Sequence, residues 1–129
     1  MKALLISRDE EVRSQLGVAL RAVERRTGLP WEFLEAEDGV EGIRLAWREL
    51  PDLVVADEIT SRAGAFAVAK DLTGAPEPFP GMVVIVLAQP EDAWLARWSG
   101  AHAWLGRPLD PFALADTVTE LLGQPMEAR

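Results

Sequence analysis

The stretch Pro51-Asp52-Leu53-Val54-Val55-Ala56-Asp57 decides the architecture. Its apolar centre is too short for a helix, and it lacks the polar alternation of a strand with one wet face. It reads as a strand buried on both faces, entered through proline and left on a carboxylate. Comparable runs recur on either side, at residues 3–6, 31–36, 82–87 and 103–105. Glu32 and Glu35 interrupt the run at 31–36, which suits an edge strand.

Between the runs the apolar period lengthens to that of a helix. Val12, Leu16, Ala19, Leu20 and Val23 fall on one face, behind Asp9, Glu10 and Glu11, which favour the positive end of a helix dipole. Val40, Ile43, Trp47 and Leu50 repeat the spacing and predict the buried face of a second helix, stopped by Pro51. A third helix starts near Ala65 and carries Val68 and Leu72; three prolines and two glycines then make residues 73–81 irregular. A fourth opens at Pro90-Glu91-Asp92 and closes at Gly100. The last opens at Asp110-Pro111, an N-cap followed by a first-turn proline, and runs through Leu114, Val118 and Leu122 to Gly123.

Strand and helix thus alternate five times. That predicts an α/β fold, a doubly wound five-stranded parallel sheet with right-handed crossovers. The 129 residues suffice for one domain, over residues 1–123, with 124–129 as a frayed tail. No repeat, linker or low-complexity segment interrupts it. The chain has no cysteine, so neither disulfides nor thiolate metal clusters hold it. The first apolar run is too short for a signal peptide or a membrane helix, and the expected compartment is the cytoplasm. A net charge of -8 disfavours nucleic acid, and Arg21, Arg25 and Arg26 read as a solvated helix end.

In such sheets reactive groups collect where strands end. The residues to read are therefore Ser7-Arg8, Asp57-Glu58, Leu87-Ala88 and Gly106-Arg107-Pro108. No Gly-rich phosphate loop follows the first strand. His102 is the sole histidine, which leaves no partner for a triad or a transition-metal site. Asp57 is the positive signal; from spacing alone it serves either as a reactive carboxylate or as a plain loop cap.

Four segments match a family. Lys2-Ala3-Leu4-Leu5-Ile6 with Glu11-Val12-Arg13, Ala36-Glu37-Asp38-Gly39-Val40-Glu41-Gly42, residues 51–57, and Ser99-Gly100-Ala101-His102-Ala103-Trp104-Leu105-Gly106-Arg107-Pro108-Leu109 occur in the family's order and spacing. Across nearly its whole length the chain resembles the receiver domains of two-component response regulators. The resemblance implies the flavodoxin-like strand order 2-1-3-4-5, with Asp57 as phosphoacceptor. It also implies magnesium held by that aspartate and an acidic pair after the first strand, a lysine that neutralises the transferring group, and a cis peptide at position 107–108.

Against the family pattern, the acidic pair aligns with Ser7 and Arg8, the hydroxyl residue after the fourth strand with Leu87, and the lysine with Arg107. The proline and glycine that follow the phosphoacceptor align with Ser61 and Ala65. A cation at position 8 would repel a divalent metal and pair with Asp57, with or without help from Arg107. The expectation is a pseudo-receiver: no enzyme, no bound metal or cofactor, and regulation by protein contact without phosphorylation. Asp9, swung toward the metal position, is the one route back to magnesium; otherwise Asp9 and Glu10 only start the first helix.

The resemblance also implies an output face on the fourth helix, fifth strand and fifth helix, used for a protein partner or self-association. Trp104 takes the switch aromatic's place and can pack on Leu87. Trp94 and Trp98, four apart, share a helix face; at least one is expected in the core, and the other, if exposed, anchors an interface. Trp31 and Trp47 read as core or edge packing, and His102 as a turn residue without a role. Two alternatives remain open: a genuine phosphoacceptor using magnesium, and a small-molecule binder using the same cleft.

Overall fold

Period-two alternation sends successive strand residues into opposite layers, and both layers of this protein are dry. The computed structural model describes residues 1–58 and 64–123. Its strands are β1 (Lys2–Ile6), β2 (Glu32–Ala36), β3 (Leu53–Asp57), β4 (Met82–Val86) and β5 (Ala103–Leu105). They form one parallel sheet in the order β2-β1-β3-β4-β5. The helices are α1 (Glu10–Thr27), α2 (Gly39–Glu49), α3 (Ala65–Thr73), α4 (Ala93–Trp98) and α5 (Pro111–Leu122).

Leu5, Leu53, Val55, Val84 and Val86 face α1 and α5, where they meet Leu16, Leu20, Leu114 and Val118. Leu4, Ile6, Val54, Val83 and Ile85 face the opposite layer, against Leu45, Val68 and Leu72. Central strands with both faces buried read as continuous apolar runs, whereas β2 keeps Glu32 and Glu35 in solvent at the sheet edge.

The α1 face is the expected one: Val12, Leu16, Ala19, Leu20 and Val23 are buried. The α2 face is not. Its buried residues are Gly39, Gly42, Leu45 and Ala46, while Val40, Trp47 and Leu50 are 50%, 38% and 54% exposed. The small residues decide this. A Cβ at position 42 would stand 2.4 Å from Ile6 Cδ1, so α2 lies on β1 through its glycines and the bulkier apolar residues turn outward. Apolar periodicity weighs bulk, and here close approach won.

Local signals account for most element ends. Asp9, Asp38 and Asp110 accept backbone N–H bonds at the starts of α1, α2 and α5. The fourth helical segment begins as a single 3-10 turn, Pro90–Asp92, and becomes α-helical only at Ala93. Gly100 follows α4 at φ 88°, where any Cβ would strike Thr73. The proline-rich stretch before β4 is anchored by Phe79, which is buried edge-on against Trp47 at 5.8 Å between ring centroids. The expected tail, 124–129, and Ser61 lie outside the described residues. Among those described, no helix is long and apolar enough to cross a membrane.

Candidate functional site

Asp57 is the last residue of β3 and is 1% exposed. Its neighbours come from the ends of β1 and β5. Ser7, itself fully buried, donates from Oγ to Asp57 Oδ2 at 2.9 Å and accepts from the Asp9 amide at 3.1 Å. Arg107, after β5, places Nη2 on Asp57 Oδ1. The Arg107–Pro108 peptide is cis, as the resemblance implied. Arg107 Nε is buried with no acceptor among the described residues, so the contact is end-on rather than a two-pronged fork. Both oxygens of a buried carboxylate are therefore engaged, one by a cation and one by a hydroxyl.

The structure corrects the part given to Arg8. Arg8 is exposed and makes no ion pair with Asp57; Arg107 does. Successive side chains leave an extended chain on opposite sides, and at the end of β1 the small Ser7 takes the inward side. Arg13 Nη1 fixes that turn by donating to the Ser7 carbonyl at 2.6 Å. Asp9 does not swing inward: its carboxylate caps α1 by accepting from the Glu11 amide at 2.9 Å.

The donor set suits a hard divalent cation poorly. Magnesium is held through carboxylate and carbonyl oxygens together with water. Here the family's two acidic positions carry a hydroxyl and an outward guanidinium, and Arg107 competes for Asp57. No group of three His, Cys, Asp or Glu among the described residues could hold a metal. The residues present do not fit a magnesium site.

Around this centre Leu87 is 3% exposed and belongs to the layer in which Trp104 is half-buried. The Arg97 guanidinium lies 5.9 Å from the Trp104 ring centroid. Trp94 and Trp98 are 65% and 58% exposed, so the expectation that one enters the core fails for both. Six residues of α-helix give α4 only one inward row, and Ala96 is its buried member.

Sequence reasoning gave no part to two residues that bind the strand ends together. Glu58 accepts from the Ala88 amide, joining the ends of β3 and β4, and Asp92 of the turn before α4 lies near enough to act on its carboxyl. Burial, helped by Asp92, pushes its carboxyl above the ordinary 4.5. His102 Nδ1 accepts from the Val83 amide at 2.9 Å, so its ring completes the ladder where β5 is too short to do so. Burial holds its pKa below 6.5. A lone carboxylate or imidazole gives no periodic signal that would reveal such bonds.

No family model matches the chain. An uncharacterized response regulatory protein of Mycobacterium tuberculosis is 34% identical over 93 residues, 72% of this chain and 69% of that protein. PilH of Pseudomonas aeruginosa is 30% identical over 93 residues, 70% of this chain and 77% of its own length. Among solved structures, a response regulator from Chloroflexus aurantiacus superposes with a TM-score of 0.82 at 21% identity, covering 95% of this chain and 98% of that one. A signal receiver domain from Colwellia psychrerythraea gives 0.81 at 19% identity, over 96% and 99% of the two chains. At those identities the structural likeness concerns the fold.

Proposed function

The chain belongs to the receiver-domain family of response regulators, signalling modules of two-component systems, and from that premise we propose that it regulates without being phosphorylated, by protein contact. The observation that carries the proposal is the state of Asp57: buried, with Arg107 on one oxygen and Ser7 on the other. Forming an acyl phosphate requires one of those oxygens to be free as a nucleophile and a cation to take up charge on the transferring group. Here the cation is spent on the nucleophile itself. Phosphorylation would have to break a buried ion pair, with no acidic cluster among the described residues to hold a metal that would offset the loss.

The same pair suggests what the pocket does instead. Asp57 and Arg107 join the ends of β3 and β5, and β5 carries Trp104. In this reading the bond permanently holds the arrangement that a transient modification would otherwise select. Leu87, lacking a hydroxyl for a phosphoryl oxygen, packs in the layer shared with Trp104 and supports the fixed state. The protein is then a non-enzymatic adaptor whose output leaves through α4, β5 and α5, where Trp94, Trp98 and Phe112 are exposed. Beryllofluoride with magnesium, a mimic of the phosphoryl group, tests it. Unchanged amide NMR signals at Ser7, Asp57 and Trp104 support the proposal; saturable shifts there restore the phosphoacceptor alternative.

A further inference from the structure

Two exposed indoles on one short helix are costly to keep in water, and the cations beside them have not been neutralised. Trp94 and Trp98, one helical turn apart, project from the same face of α4. Lys70, from the last turn of α3, holds its ammonium 4.7 Å from the centroid of the Trp98 ring. Arg97 lies over Trp104. Neither cation has a carboxylate partner among the described residues, in a chain whose net charge is -8. The nearby acids are committed elsewhere: Asp71 accepts from Trp47 Nε1, and Asp92 is turned to Glu58. Glu91, one turn before Trp94, bounds the patch at its far end.

Apolar aromatic surface with unpaired positive charge calls for a complement with apolar side chains beside carboxylates. We propose that the ridge formed by Lys70, Trp94, Arg97 and Trp98, along α3 and α4, docks an acidic amphipathic helix of another protein. This rests on the reading that the protein acts by contact, and it moves the contact toward α3, away from α5. Tryptophan supplies the buried anchor that dominates many interfaces. Lys70 and Arg97 select the sign of the partner's charge and steer the encounter. A second copy of this acidic chain would bring net repulsion to the same surface, and nucleic acid would meet only two cations set in an acidic molecule.

The test uses a designed helical peptide with leucines on one face and glutamates flanking them, and a twin with lysines in place of the glutamates. Tryptophan indole N–H signals of the intact protein are followed by NMR, without and with magnesium and beryllofluoride. The expected result is saturable movement of the Trp94 and Trp98 indoles with the acidic peptide alone, weakened by salt. Lys70→Glu with Arg97→Glu should weaken binding about tenfold, and Trp98→Ala about thirtyfold. The doubly reversed protein should gain affinity for the lysine twin, which also shows that it remains folded.

Equal response to both peptides, movement only of indoles outside the ridge, equal binding of oligothymidylate, or dimerisation through the ridge in sedimentation would each overturn the docking proposal. Acidic-peptide binding that appears only with beryllofluoride would uphold the ridge and overturn phosphorylation independence. No peptide binding, with the pocket also silent to beryllofluoride, would remove the ridge and leave the fixed-pocket reading standing.

Discussion

Asp57 and Arg107 are worth more broken than counted. A buried pair returns little net stability over an apolar replacement, yet removing one member strands the other. Arg107→Gln should therefore destabilise by about 3 kcal/mol, the lower end for such pairs because Arg107 is partly open to solvent. Asp57→Asn beside it should recover part of the loss, and denaturant unfolding of the two single variants and the double variant measures the coupling. Equal costs that simply add would mean the pair is decorative. Asp57 was legible in the sequence as the carboxylate that ends the central strand. Its true partner was not, because side-chain direction at Ser7-Arg8 depends on which of two adjacent residues fits a closed space. His102 makes a second residue-scale case. Its ring binds a proton less readily in the fold than in the unfolded chain, where the ordinary value is 6.5, so stability should fall as pH drops through that value. His102→Gln should flatten this limb in urea titrations. A decline that persists unchanged in His102→Gln would assign it to other groups.

Two helix glycines make opposite predictions at the scale of elements. Gly42 seats α2 on Ile6, which is fully buried and cannot give way, so Gly42→Ala should cost about 1–2 kcal/mol despite better helix propensity. Gly17, in the middle of α1, would bring its Cβ no closer than 3.6 Å to Phe33, and Gly17→Ala should stabilise by about 0.5–1 kcal/mol. Thermal melts of the two variants should move in opposite directions; movement of both the same way would contradict the packing account of α2. The contrast also explains what the sequence conveyed at this scale. The α1 face was readable because Val12, Leu16, Leu20 and Val23 carry its period. The α2 face was not, since glycine and alanine carry no weight in an apolar period, although they allow the closest approach. The turn before α4 adds a pH effect of the other sign. Glu58 binds its proton more tightly in the folded state than the ordinary 4.5, so stability should fall as pH rises from that value. Glu58→Gln should remove the slope; a slope unchanged in that variant would place its origin elsewhere.

For the molecule as a whole, the parallel sheet and its layers followed from five alternations of run and period and the strand order from the family resemblance, while the state of the pocket depended on contacts between residues fifty apart. The family's fold is intact and its reactive end is closed by its own side chains. Under the proposed function, that combination would make a regulator whose conformation is set at folding, with the exposed indoles of α4 as its readable surface. Arg107 sits on Asp57, and the proposed function requires that this contact keep Asp57 from serving as a phosphoacceptor. The most direct measurement is a titration of isotope-labelled protein with magnesium and beryllofluoride, followed through the amides of Ser7, Asp57 and Trp104. The account predicts no saturable change at any of the three. Saturable shifts that spread from Asp57 to Trp104 would contradict it and make this chain a working phosphoacceptor.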